Sequence, residues 1–547
     1  FFSTHKYTSL VGYYSRFNDS LFSYFIYFFL YLICINRITK EDYEKLIKLV
    51  LISIIPVSLY GIAQSISGVT RVYSTFGQPN WLSQYLGMLL PMTAYYFFTE
   101  KGERFKLWGL VYIFGFYCLW VTFSVSGLLG FFAGVFYLIV KYFRKIFENK
   151  VYKTKLIFLI SITALIALLN IGLYKEKFYD FYLDVQKQFV LIKKAYASEN
   201  INRLSDPGFI RLELWKSTFD LITSSPKTFL FGTGPETFPY VFQNYRNGKL
   251  NYSSEWDFVF NKPHNYYLEI WSESGILTLG IFIALIYTYV KKLPNHMASA
   301  IVVFSVTNIF GWPVVPTSLL FWLFLSGLEI NDVKLKPFET ETANKLKLNK
   351  VRLLYKTLLI TLIVGVYLYL NFYIFKFYNA DIYYKKGQEY IKKGEEKKAL
   401  YFADKAVIAN PLEPNYYRGR AKVNTVLLVS SQDKQKIKQE IFEDLTKSFE
   451  LNKNNLVTIR NSIPIYYFLA VGDIYKAISN NNYDERYIGY VKEFYNETKN
   501  NYPNDAGVIL GVAKYEKKLG LEESYQNSVE RIKFLRPDLL DWNELFR

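Results

Sequence analysis

The sequence predicts an all-α, polytopic membrane protein with a soluble helical domain toward its C-terminal end. Three observations predict it. Residues 107–140 and 297–328 carry no formal charge, and uncharged apolar runs of that length belong in a bilayer. Lys and Arg collect in short loops between apolar segments, the asymmetry that orients membrane proteins. From Asn379 the chain turns to helical sequence rich in Lys, Glu, Tyr and Asn. An ordinary soluble enzyme is excluded.

Apolar segments at 20–36, 49–70, 80–99, 107–125, 127–140, 156–174, 275–290, 297–310, 315–329 and 357–375 give about 10 spans. Several fall short of the ~20 residues a perpendicular helix needs. The two uncharged runs must then fold back as re-entrant pairs or tight hairpins, turning at Gly127 and at Gly311-Trp312-Pro313. The loops at 37–48, 100–106, 141–155, 291–296 and 330–352 are basic. Ten spans place all five on one side, the cytoplasmic one. The outer side receives residues 1–19, the loop 71–79, the turns at 126 and 311–314, the segment 175–274 and everything after 376. The division is an N-terminal transmembrane region (1–174), a large extracytoplasmic loop (175–274), C-terminal transmembrane helices (275–376) and an outer helical domain (377–547). The chain opens on Phe1-Phe2-Ser3 without Met and reads as N-terminally incomplete.

The C-terminal domain carries a tetratricopeptide-like pattern in residues 380–413, through Tyr383, Gly387, Tyr390, Gly394, Ala399, Ala403, Ala406 and Pro411. A distorted second unit follows from Pro414 to about Lys453. A third runs between Pro503 and Pro537, with Gly511, Tyr515, Gly520 and Tyr525 inside it. Repeats of this kind offer a concave surface to a protein partner or a polymer; an unrelated α-helical domain is the plainer reading.

Composition removes several chemistries. Cys34 and Cys118 both sit in apolar runs, so no disulfide framework or Cys-rich metal site is available. His5, His264 and His296 are the only histidines. The net charge of +18 fits basic cytoplasmic loops and lipid headgroups better than nucleic acid. No zinc-deaminase, His-Glu-x-x-His, Gly-x-Ser-x-Gly or Walker pattern occurs.

The segment 175–274 is too long for a simple connector. Asp206-Pro207-Gly208 reads as a turn before a helix at 210–223, which sets Arg211, Trp215 and Thr218 on one side. Ser225-Pro226 precedes Gly232-Thr233-Gly234-Pro235, a tight turn. That turn lacks the third glycine of a dinucleotide site and the lysine of a P-loop. Lys262-Pro263-His264-Asn265 then leads into an interfacial helix at 266–271. Taken singly, Arg71 reads equally as a headgroup contact, Arg211 as a surface residue and His264 as a polar residue at a helix start.

Together these pieces resemble the Wzy-C / O-antigen ligase superfamily of membrane glycosyltransferases. That superfamily includes lipopolysaccharide O-antigen ligases, O-antigen polymerases and O-linked oligosaccharyltransferases. The resemblance rests on residues 71–80, on Arg211-Leu212-Glu213-Leu214-Trp215, and on the stretch from Phe231 to Phe238. Its strongest piece is His264-Asn265-Tyr266-Tyr267-Leu268-Glu269 followed by Glu273-Ser274-Gly275-Ile276. Gly12-Tyr13-Tyr14-Ser15-Arg16-Phe17 is similar to an external piece of such proteins. Fusion to a C-terminal span and tetratricopeptide repeats is also seen in the superfamily. One departure is that Ser124-Val125-Ser126-Gly127 stands where the superfamily often has Ser-Arg-Gly. Arg203 or Arg246 is the candidate to compensate.

What the resemblance implies is a GT-C-like fold at the bacterial plasma membrane. Its activity is transfer of a glycan from an undecaprenyl-diphosphate donor to a glycan, lipid or protein acceptor at the outer face. Arg71 and Arg211 would hold the diphosphate, since a guanidinium makes bidentate, charge-assisted bonds to phosphate. His264 would be the base, kept neutral by the helix starting at Asn265. Glu269 or Glu236 would be a reserve base or orient acceptor sugars, with Asn80 and Asn265 auxiliary. No cofactor is implied, no carboxylate pair invites a metal, and single displacement inverts the anomeric centre. Two other classes compete. A lipid-linked-glycan transporter would need charges deep in the spans and matching halves; a repeat-bearing scaffold would leave 175–274 without a purpose.

Overall fold

The computed structural model describes residues 2–14, 16, 18–170, 172, 207–330, 346–472 and 483–542. Every regular element in it is helical, and the chain divides into two compact units. One comprises Phe1–Glu255 and Phe260–Lys334; the other comprises Trp256–Val259 and Leu335–Arg547.

The first unit runs α1 (Lys6–Val11), α2 (Leu21–Arg37), α3 (Lys40–Ile52), α4 (Ile54–Ile66), α5 (Pro79–Thr99), α6 (Arg104–Val121), α7 (Val125–Glu148) and α8 (Lys150–Leu169). It continues with α9 (Pro207–Thr223), α10 (Pro226–Phe231), α11 (Phe238–Val241), α12 (Tyr266–Lys292), α13 (Asn295–Thr307) and α14 (Val315–Ser326). A helix stands at each of the ten expected apolar segments. Among the described residues six are long and apolar enough to cross a membrane: Lys40–Ile66, α6, α7, α8, α12 and Thr357–Lys392. Helices α2, α13 and α14 are apolar but shorter. Helix α5 is the centre of the unit, with 15 of its 21 residues buried. Its buried polar residues are paired: Ser83 and Thr93 donate to the Asn80 and Leu89 carbonyls of α5 itself, and Gln84 donates to Thr307 and Asn308.

The run at 107–140 does fold back, but at Thr122, Phe123 and Ser124, not at Gly127. Ser124 caps α7, its hydroxyl accepting the Gly127 N–H. Gly127 lies inside α7, at the head of a stripe with Gly130 and Gly134. A Cβ at these positions would come within 2.4 Å of Ser83, 2.4 Å of Thr307 and 2.6 Å of Val303. Missing side chains thus bring α7 onto α5 and α13, the way helices approach where water supplies no driving force. Gly130→Leu should overpack this seam and lower stability by about 1–3 kcal/mol, read as an earlier thermal midpoint in detergent.

One expectation in the polar segment changes. Pro207 and Gly208, expected in a turn, lie in α9 (Pro207–Thr223), while Asp206 lies outside the described residues; proline is suited to a first turn, where no backbone donor is lost. The short helix after Asn265 does feed the next span: the two helical segments of α12 meet at the non-helical Gly275 (φ 83°, ψ 170°).

The second unit is the α-helical C-terminal region: α15 (Leu346–Lys392), α16 (Glu396–Ala409), α17 (Pro414–Ser430), α18 (Lys434–Leu451), α19 (Leu456–Ala470), α20 (Ile488–Asn501), α21 (Ala506–Leu519), α22 (Glu522–Leu535) and α23 (Asp538–Trp542). Gly387 lets α15 approach α16, where a Cβ would lie 3.3 Å from the Ala399 carbonyl. Arg420 of α17 joins Asp404 at 3.0 Å and Asp444 at 2.6 Å. Within the same unit Arg460 pairs with Asp505 at 2.6 Å and Asp257 at 3.0 Å.

Candidate functional site

The glycine turn marked by the sequence is a clasp on the kink of α12. Thr233 and Gly234 donate their N–H groups to the carbonyls of Ser272 (2.9 Å) and Glu273 (2.8 Å). Backbone meets backbone here. A Cβ on Gly232 would lie 2.2 Å from the Glu273 carbonyl carbon, and one on Gly275 2.0 Å from the Leu230 oxygen. The Glu273 carboxylate in turn accepts the N–H groups of Glu236 (2.7 Å) and Phe238 (3.1 Å). From the N-terminal end, the Thr4 N–H reaches the Thr233 carbonyl at 2.8 Å.

Next to the clasp is a buried ionic cluster. Lys262 Nζ donates to Glu269, to Glu236 at 2.5 Å and to Asp19 at 3.4 Å, and all four side chains are 4% exposed or less. The sequence reading found no carboxylates suited to a metal, yet three carboxylate oxygens here lie within 4.8 Å of one another. Acidic residues 243, 26 and 7 positions from their common partner leave no spacing signature. Lys262 sits among them as the cation. Burial would strip its proton, but Glu236, Glu269 and Asp19 outweigh that and hold its pKa above the usual lysine range. Burial also lifts the Asp19 carboxyl, against the pull of Lys262. Glu269 and Glu236 are therefore held in this cluster and do not face open solvent.

His264 stands two residues beyond Lys262. Asn265 caps α12, its side chain accepting the N–H groups of Tyr267 (3.0 Å) and Leu268 (3.1 Å). Asn265 therefore sets the helix start, as the sequence placed it. The imidazole is half-buried and meets the Trp312 ring edge-on at 4.9 Å. The Arg16 guanidinium lies over the same indole at 5.7 Å. Burial, then the charges of Arg211 and Arg16, drive the His264 pKa down to about 4. Arg211 and His264, named from the sequence, are thus brought together, and Arg16 joins them. Glu255 faces Arg211 too: burial raises its carboxyl while the guanidinium pulls it down.

Comparison with protein families adds the other half. Residues 110–283 match the Wzy_C family, O-antigen ligase. No curated protein and no solved structure matches the chain. The protein is thus a larger multi-helix chain with a Wzy_C-like region inside it. That region contains Arg211, Glu236, Arg246, His264, Asn265 and Glu269, and it leaves out Arg16, Arg71 and Asn80.

Arg71 is exposed at the end of α4, donating to the Thr122 carbonyl (3.4 Å) and to Asn80 Oδ1 (3.3 Å). The link to His264 runs through aromatic rings, since Trp81, next to Asn80, meets Trp312 at 6.4 Å. Arg246 is fully buried in the Wzy_C-like region, stacked on Phe260 at 5.3 Å. Arg203 lies outside the described residues. His5 caps α1 and packs on Tyr240.

Backbone strain marks the same places. Among the described residues five without the freedom of glycine have positive φ: Asp19, Ser74, Phe123, Glu236 and His264. Asp19 and Glu236 hold Lys262, Ser74 follows Arg71 by three residues, and Phe123 adjoins the carbonyl that Arg71 binds. Such conformations cost about 1–3 kcal/mol each and gather at working sites. Sequence reasoning gave no site role to Arg16, Lys262 or Trp312, although each lies in a stretch it marked: Gly12 to Phe17, Lys262 to Asn265 and Gly311 to Pro313.

Proposed function

We propose that the protein transfers a glycan from a polyprenyl-diphosphate donor, undecaprenyl diphosphate in bacteria, to an acceptor hydroxyl at the outer face of the plasma membrane. The observation that carries this is a half-buried histidine in a Wzy_C-like region, its pKa held low by burial, by Arg211 of the same region and by Arg16 from outside it. Arg211 and Arg16 neutralise the diphosphate as it departs, and Arg71 with Asn80 guides it at the membrane boundary. His264 takes the proton of the attacking hydroxyl, and one displacement inverts the anomeric carbon. The leaving group departs as the polyprenyl diphosphate anion, its charge met by guanidinium and not by metal. The fold is read as GT-C-like with about ten spans. The C-terminal helices are read as tetratricopeptide-like repeats on the outer side, presenting an acceptor or recruiting a protein partner.

The arginines beside His264 support a diphosphate donor; the acceptor is chosen by experiment. Purified protein is mixed with a short-chain polyprenyl-diphosphate glycan and a panel of glycan, lipid and peptide acceptors, with and without EDTA. Transfer should persist in EDTA and fall about 10²–10³-fold in Arg211→Met, the usual loss when a donor to a developing anion is removed. The acceptor that reacts separates ligase, polymerase and oligosaccharyltransferase. Donor binding without transfer to any acceptor would overturn the enzyme reading and favour a transporter of lipid-linked glycan.

A further inference from the structure

Lys262 gathers chain segments that are far apart. Its three carboxylate partners lie 243, 26 and 7 residues away, and each sits on a segment that carries something else. Asp19 follows Arg16 by three residues. Glu236 leaves the glycine clasp, and its Oε2 also accepts the Tyr13 N–H at 3.2 Å, tying the Arg16 segment a second time. Glu269 is in the first turn of α12, capped by Asn265. Between Lys262 and His264 stands only Pro263, whose ring removes one of the few backbone torsions separating anchor and imidazole.

We propose that Lys262 is the positioning residue of this site, its ammonium drawing Asp19, Glu236 and Glu269 together so that Arg16 and His264 meet at Trp312. This rests on the reading of His264 as the base. The cluster is a poor device for stability alone. Three carboxylates share one ammonium, and Asp19 Oδ1 and Glu269 Oε2 have no hydrogen-bond partner among the described residues. Apolar replacement of such buried networks is often neutral or stabilising, and fixing register is their best-attested use. The strained backbone at Asp19, Glu236 and His264 is what a single shared anchor would impose on the segments it pulls in.

The test uses the full chain in detergent and reads His264 directly. A fourfold variant, Lys262→Met with Asp19→Asn, Glu236→Gln and Glu269→Gln, replaces the ammonium and its three hydrogen-bonded carboxylates by uncharged side chains together. Diethyl pyrocarbonate labels neutral imidazole, and mass spectrometry of the His264 peptide gives labelling at pH 5.5 relative to pH 8. Wild type should label nearly equally at both. The variant should melt like wild type yet label less at pH 5.5 than at pH 8, because releasing Arg16 removes one of the three causes that lower the His264 pKa, after burial and Arg211. A variant that melts normally and keeps the wild-type labelling ratio overturns the proposal. Should the fourfold variant not fold, Asp19→Ala with Glu236→Ala, which removes both side-chain ties on the Arg16 segment, must lower the ratio; an unchanged ratio there is equally fatal. The base assignment fails separately, by wild-type transfer rates in His264→Ala, whatever the labelling shows.

Discussion

His264→Ala should lower glycan transfer by about 10²–10⁴-fold, the range expected when a general base is removed. The loss should fall on kcat, with the KM for donor little changed, because the arginines that bind the diphosphate remain. The pH profile is the sharper test. Burial, Arg211 and Arg16 hold the free imidazole at about 4, and a base works only unprotonated. In wild type kcat/KM should therefore stay level on the acid side until pH falls through about 4. Once a diphosphate sits between the two arginines their charge is offset, so the limb of kcat should move up toward the ordinary histidine value of ~6.5. An acid limb at the same pH in both parameters would argue against anion binding beside His264.

Gly275→Ala should cost more than about 4 kcal/mol, beyond the usual range of single substitutions. The new Cβ would need to lie 2.0 Å from the Leu230 oxygen at φ 83°. Neither atom belongs to a flexible side chain, so the clasp between α10 and α12 would have to open. Gly232→Ala should behave alike. Gly280→Ala is the control on the same helix, since a Cβ there meets nothing within 4 Å, and it should be neutral or slightly stabilising. Thermal unfolding followed by size exclusion in detergent distinguishes them. A Gly275→Ala protein that melts with the Gly280→Ala protein would disprove the clasp.

Much of the helical framework was legible, because hydropathy and charge act locally. Helices α6 to α8 and the C-terminal hairpins follow from apolar runs, basic loops and small residues at helical spacing. Position within the bundle was less legible. Counting apolar segments treats every helix as lipid-facing, whereas α5 is surrounded by protein and carries buried Ser83, Gln84 and Thr93. Gly127 reads as a turn in a linear sequence and becomes a contact surface only once α5 lies against it. His264 and Arg211 could be named by residue type and neighbours. Lys262 could not, since its meaning comes from Asp19, 243 residues earlier, and no pattern along the chain records that meeting.

That separation also sets the order in which the site is made during synthesis. Asp19 emerges long before its counter-ion, and at 5–20 residues per second Lys262 follows roughly 10–50 s later. Until then the Arg16 segment has no ammonium to hold it, and Glu236, its other tie, is made only 26 residues before Lys262. A ribosome-arrested chain ending before residue 262 should expose residues 1–20 to protease, and one extended past α12 should protect them.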